Sequence, residues 1–282
     1  MAEVEAFVLF EGRPVVDGKQ LVNDLGWRWP EIGSPQNLVR GEHEVGFALG
    51  EAAVLLVNNE LPIDFSDFPD NNVSEKHWPG SINALMRHQS HMLVSINIEN
   101  RRATDMYSLA TKVTSSALAG ATGALGVYWP STPQLINRNS FLEMASSFPS
   151  LPLDLWIDIR VGKGRDGSVT ASTSGLAGFG LREIELVDSP ESKEAARIRL
   201  TNLASQMLRH RRNITHGATL GYDDQWKVMV DVSPSRLGRP GDVSHIVFEP
   251  ATDKTIIDSA LAEHEGAYPP PVARAQRPEY QS

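Results

Sequence analysis

Apolar and polar residues alternate along several short runs of this chain, and this alternation predicts β-strands. In the first run Val4, Ala6, Val8 and Phe10 would share one face of a strand. The same pattern predicts further strands over residues 44–51, 53–58, 92–98, 218–222, 226–232 and 243–248.

Four other segments carry apolar residues three and four positions apart, the spacing of an amphipathic helix. We predict helices over residues 17–27, 81–89 and 104–119. A fourth helix is expected from Ser189 to about residue 212, with Ser189 capping it and Pro190 at its first position.

The stretch 124–189 contains the densest signals. It opens with an apolar run that ends in Tyr128 and Trp129, and residues 153–160 alternate as in a strand. The glycine-rich segment 162–167 predicts a hairpin that leads into a return strand. We therefore expect this stretch to form the central sheet.

The order of these elements predicts an α+β fold. Strand-helix-strand units followed by further strands occur in both halves, which favours two ferredoxin-like units that share or flank a mixed sheet. We expect an N-terminal half over residues 1–89, a C-terminal half over 90–258, and a disordered tail over 259–282 that contains a run of three prolines.

Composition narrows the possible partners. The formal net charge is -9, which disfavours nucleic acid and anionic membranes. The chain contains no cysteine, so it has neither disulfides nor thiolate chemistry. No apolar run reaches the ~18–20 residues of a membrane helix, and the N-terminal residues lack a signal-peptide pattern. We expect a cytoplasmic protein.

An acidic stretch offers a candidate interaction surface. Residues 41–75 contain eight acidic residues and neither lysine nor arginine, with aromatic residues among and beside them. Such a surface would steer a basic protein, and the aromatic residues would anchor it. The predicted contact residues are Glu60, Asp64, Phe65, Asp67, Phe68, Asp70, Glu75 and Trp78. Alternatively, the stretch is a solvated loop whose aromatic residues pack on the core.

Few residues suggest a reaction. His88 and His91 have a spacing that is found in metal sites, but no carboxylate completes a known signature. Glu183 and Glu185 would lie about 7 Å apart on one side of a strand, close enough for acid-base catalysis, although a solvated sheet face explains them equally well. The glycine patterns fit neither a dinucleotide fingerprint nor a phosphate loop. We expect no metal and no cofactor.

Three segments carry a family resemblance: Gly126-Val-Tyr-Trp129, residues 173–186, and Gly217-Ala-Thr-Leu-Gly221. Over residues 90–250 the chain resembles a bacterial family of unknown function, in which a Gly-Val-Tyr-Trp strand precedes a Gly-Leu-x-x-Phe-Gly-x-x-Glu-Ile-Glu strand. Some members are encoded near secretion-system toxins. The resemblance therefore implies an immunity-like role and assigns no catalytic residue.

These observations favour a non-enzymatic protein that binds another protein. The most concrete form is a bacterial immunity protein that occludes a secreted toxin, such as a basic nuclease. Two alternatives remain: an enzyme that uses sheet carboxylates such as Glu183 and Glu185, and a secretion adaptor or scaffold.

Overall fold

The computed structural model describes residues 2–14, 17–64, 74–99, 102–164, 167–222 and 225–251. The fold is α+β, as predicted. Its helices are α1 Gly18–Arg28, α2 Ser81–Arg87, α3 Ala103–Gly120, α4 Arg138–Ala145, α5 Leu153–Trp156 and α6 Lys193–His210. Its strands are β1 Ala2–Phe10, β2 Gln36–Arg40, β3 Glu44–Leu49, β4 Ala52–Asn59, β5 Ser74–His77, β6 Ser90–Ile98, β7 Ala124–Trp129, β8 Gln134–Asn137, β9 Asp158–Lys163, β10 Val169–Ser174, β11 Ile184–Ser189, β12 Thr219–Tyr222, β13 Trp226–Pro234 and β14 Asp242–Pro250.

The strands form two separate mixed sheets. The first has eight strands in the order β2-β3-β4-β6-β1-β7-β8-β5. Strands β6 and β7, which α3 connects, both pair antiparallel with β1. They therefore run parallel to each other, as their order predicts, but β1 lies between them.

The second sheet has six strands in the order β12-β13-β14-β11-β10-β9. It consists of two antiparallel three-stranded meanders that join where β11 and β14 pair in parallel, and α6 connects the two meanders along the chain. This order is not that of a ferredoxin-like unit, so the predicted pair of such units is not confirmed.

The sheets also differ from the predicted division of the chain. Strand β6, which opens the predicted second half, pairs with β1 and β4 of the first half. The stretch 124–189 contributes β7 and β8 to the first sheet and β9, β10 and β11 to the second, so it does not form one central sheet. The predicted tail, 259–282, lies outside the described residues.

Helix α3 lies at the centre of the molecule. From Met106 to Leu118 every residue except Ser108 is buried, so the helix is covered on all sides. It packs on β1 and β6 and also contacts α1 and α4. Small residues such as Ala110 and Ser115 permit this packing because they add little bulk. One hydrophobic core extends from the first sheet through α3 to α6 and the second sheet.

Two local predictions are wrong. Residues 153–156 form the short helix α5 rather than a strand, because one helical turn buries both Leu155 and Trp156, which a strand would place on opposite faces. The Trp156 indole donates a hydrogen bond to Thr111 Oγ1 of α3 at 3.0 Å. Helix α6 begins three residues after Pro190, and its cap is Ser192, whose hydroxyl accepts a bond from the Ala195 amide.

Candidate protein-binding surface

Helix α2 lies across one end of the outer face of the first sheet, which is the face turned away from α3. A small hydrophobic cluster holds it there. The cluster buries Leu9, Ile63, Tyr128 and Leu135, and Phe7, Trp78, Leu85 and Leu125 pack around it. The opposite side of α2 is left for solvent.

Two histidines hold the segment around Leu61 and Ile63: His88 at the end of α2 and His91 in β6. His88 Nε2 accepts a hydrogen bond of 2.9 Å from the Ile63 amide, and the other ring nitrogen of His88 bonds the Leu85 carbonyl. His91 Nδ1 lies 2.9 Å from the carbonyl oxygen of Leu61 and can donate to it. Both imidazoles are thus used to hold the loop, which gives their three-residue spacing a structural explanation. Within the described parts of the chain, no three potential ligands among His, Asp and Glu residues come together to hold a metal ion.

The histidine contacts predict a dependence of stability on pH. Burial lowers the pKa of His91 below 6.5, and it also lowers that of His77. The unfolded chain then binds more protons below about pH 6.5, so the free energy of unfolding should fall as the pH is lowered from about 7.5 to 5. His91→Asn keeps a donor near Leu61 but does not titrate. Urea unfolding at several pH values should show a smaller decrease for this variant, and an unchanged decrease would contradict the assignment.

The predicted contact residues that the structure describes have several roles. Glu60 is exposed and pairs with Arg13 at 2.7 Å, and Asp64 is also exposed. Glu75 accepts hydrogen bonds from the Ser81 hydroxyl at 2.6 Å and the Ile82 amide at 3.3 Å, so it stabilises the start of α2. The predicted contacts that lie outside the described residues are Phe65, Asp67, Phe68 and Asp70.

Trp78 packs against the protein. Its ring is half-buried and lies over Gly126, where an added Cβ atom would come within 2.4 Å of the ring. This contact agrees with the alternative that the sequence left open, in which aromatic residues fix the loop to the core.

The solvent side of α2 exposes large apolar side chains that are not among the predicted contact residues. Ile82 is 61% exposed and Met86 is 81% exposed, and their i, i+4 spacing places them on one face of the helix. Leu61, in the loop fastened by the histidines, is 68% exposed. We call these three residues the α2 patch. The spacing of Ile82 and Met86 was visible in the sequence, but which face of the helix points outward was not.

The carboxylates considered for catalysis, Glu183 and Glu185, accept hydrogen bonds from loops of the second sheet. Glu183 accepts hydrogen bonds from Thr173 Oγ1 and from the amides of Gly175 and Ala177, at 2.7 to 3.0 Å. Glu185 is fully buried and accepts bonds from Ser235 Oγ at 2.5 Å and from the Arg236 amide at 3.0 Å. Each carboxylate thereby fixes a turn to the sheet.

A separate cavity of about 430 Å³ opens beside α3, and the buried residue Lys112 lines it. Its ammonium bonds Glu31 at 2.7 Å and lies over the rings of Trp29 and Phe148. The hydrogen bond from Lys112 lowers the pKa of Glu31. The ion pair between Lys112 and Glu31 therefore joins α3 to the segment after α1.

Comparisons with protein-family models, with curated proteins and with solved structures gave no match for this chain. Among the described helices, none is long and apolar enough to cross a membrane.

Proposed function

We propose that this protein works by binding another protein, and that the α2 patch is the centre of the contact. The observation that carries the proposal is the exposure of Leu61, Ile82 and Met86 on adjoining elements. Soluble proteins expose single apolar residues commonly, but several together on one surface are typical of interaction sites. Methionine and isoleucine can fill pockets of a partner once water leaves the interface.

The charge of the chain indicates the nature of the partner. With a net charge of -9, and with the acidic residue Asp64 exposed near the α2 patch, the chain favours a basic protein as partner. An immunity protein that occludes a basic secreted toxin is the most concrete form of this proposal. In that role the α2 patch would supply affinity and the acidic residues would speed association.

The supporting test compares two variants of similar exposure. Ile82→Lys introduces a positive charge into the α2 patch, whereas Ile198→Lys does so on α6 at a residue that is 51% exposed. With the full chain as bait in extracts of its native host, we expect a basic protein to be retained in stoichiometric amounts by the native chain and by Ile198→Lys. Ile82→Lys should weaken this binding at least tenfold.

Purified partner is then needed to establish the function. Isothermal titration should reproduce the order of affinities, and co-expression of the native chain should relieve any toxicity of the partner. An acidic partner, or a partner that binds both lysine variants equally, would contradict the proposal. Because both isoleucines are exposed, we expect both variants to unfold within about 0.5 kcal/mol of the native chain.

A further inference from the structure

The outer face of the first sheet continues beyond α2 as an open surface. On β1 the residues Glu3, Glu5 and Phe7 point to this face, because Val4 and Ala6 between them are buried in the core. The strand register extends the surface across three strands, since Glu5 pairs with Ser95 of β6, which in turn pairs with Leu55 of β4. Leu55 is 40% exposed. Apolar and acidic side chains therefore share one open sheet face.

The two glutamates are not neutralised by any base that the structure describes. Glu3 accepts a hydrogen bond of 2.5 Å from Ser95 Oγ, and no ion pair joins Glu3 or Glu5 to a described lysine, arginine or histidine. Both line a cavity of about 350 Å³ with Pro130 and Ser131 of the β7–β8 turn. Burial, and then the nearby charge of Glu3, raise the pKa of Glu5. A cation in this cavity would relieve that repulsion.

We infer that this open face is the second half of the same protein interface, and that it receives an extended basic segment of the partner. An arginine or lysine side chain of the segment enters the cavity between Glu3 and Glu5, while apolar side chains cover Leu55. This inference rests on the proposed function for the identity of the partner as a protein.

The size of the open face and its negative charge favour a basic segment of a partner protein as the occupant. Glu3 lies six residues before Leu9, which α2 covers, so the far end of the cavity lies about 20 Å along β1 from Leu9. A standard interface of about 800 Å² per partner is roughly 30 Å across, and one partner can therefore cover both. A second copy of this chain is a poor occupant, because it carries the same net charge of -9.

The test uses a defined peptide, acetyl-Leu-Arg-Leu-Arg-Leu-amide, and the full chain labelled with ¹⁵N. A nuclear magnetic resonance titration should show saturable shifts of the Glu5, Ser95 and Ser131 amides. The same peptide with citrulline in place of arginine has nearly the same shape without the charge, and it should bind at least tenfold more weakly. Equal binding of the two peptides, or shifts confined to other regions, would overturn the inference.

Variants separate local recognition from general charge attraction. The double variant E3Q/E5Q keeps the acceptor for Ser95 and should weaken binding of the arginine peptide at least tenfold. E42Q/E44Q makes the same change in net charge at the exposed start of β3, and it should alter the affinity less than twofold. If both double variants lost the same affinity for the arginine peptide, the effect would come from net charge alone and the site would be refuted.

The peptide experiment and the test of the α2 patch can fail independently of each other. Ile82 is not among the residues that line the cavity, so Ile82→Lys should leave peptide binding unchanged. If the α2 patch proves not to bind a protein while the peptide still binds at Glu3 and Glu5, only the assignment of the partner is lost. If the peptide fails to bind, this inference is wrong, but the proposal that the α2 patch binds a protein is unaffected.

Discussion

Replacing Gly175 with alanine should lower the free energy of unfolding by about 3 kcal/mol. The residue has a φ of 120°, which L side chains rarely adopt. An added Cβ would lie 2.2 Å from Thr132 Cγ2 and 2.3 Å from the carbonyl oxygen of Trp156. The second contact is with backbone, so it cannot be relieved by a rotamer change. Urea unfolding followed by tryptophan fluorescence would measure the loss.

Gly26 provides the matched control. It lies within α1, and an added Cβ would have no neighbour within 4 Å. Gly26→Ala should therefore stabilise the protein by roughly 0.5 to 1 kcal/mol, since alanine has the better helix propensity. If Gly175→Ala lost less than about 1 kcal/mol, the close approach of Gly175 to Thr132 and Trp156 would be incorrect.

Two of the three segments that carry the family resemblance, Gly126–Trp129 and residues 173–186, meet at Tyr107 of α3. An added Cβ at Gly178 would lie 2.2 Å from the Tyr107 hydroxyl oxygen. Tyr107 contacts Trp129 of the Gly-Val-Tyr-Trp strand and Phe179 of the second motif, with ring centroids 6.2 and 4.3 Å apart. These residues thus join the first sheet, α3 and the second sheet.

Much of the secondary structure could be predicted because local burial follows the period of each element. In β1 the buried Val4, Ala6 and Val8 alternate with Glu3 and Glu5, and the pattern is therefore readable from sequence. The division into two sheets could not be predicted from the sequence. The pairing of β6 with β1 joins residues about 90 positions apart, and it depends on packing over the whole molecule.

The candidate surface was predicted only in part for a similar reason. Charge and aromatic content pointed to the region around α2, but these properties do not reveal that Trp78 turns inward while Met86 turns outward. Likewise, the same-side spacing of Glu183 and Glu185 was readable, whereas the loops that bond them were not. Glu185 meets Ser235 fifty residues later in the chain. Side-chain direction relative to distant elements is what the sequence leaves open.

Replacing Glu185 with alanine should lower the free energy of unfolding by about 3 kcal/mol. The change removes the acceptor for Ser235 Oγ and the Arg236 amide, and it leaves His245, whose Nδ1 lies 3.7 Å from Glu185 Oε2, without its carboxylate in a buried position. Leaving the Ser235 hydroxyl and the Arg236 amide without this acceptor is costly. Chemical denaturation would measure the loss, and hydrogen exchange should show faster exchange in the turn between β13 and β14.

The exposed Glu249 of β14 lies on the same sheet and serves as the control, because its replacement by alanine should change stability by less than about 0.5 kcal/mol. The comparison also separates the two roles considered for Glu185. If Glu185 supports the turn, Glu185→Gln should lose less stability than Glu185→Ala, since glutamine still accepts a bond from Ser235. A catalytic role predicts native stability together with loss of a turnover activity, and that result would replace the binding proposal with an enzyme.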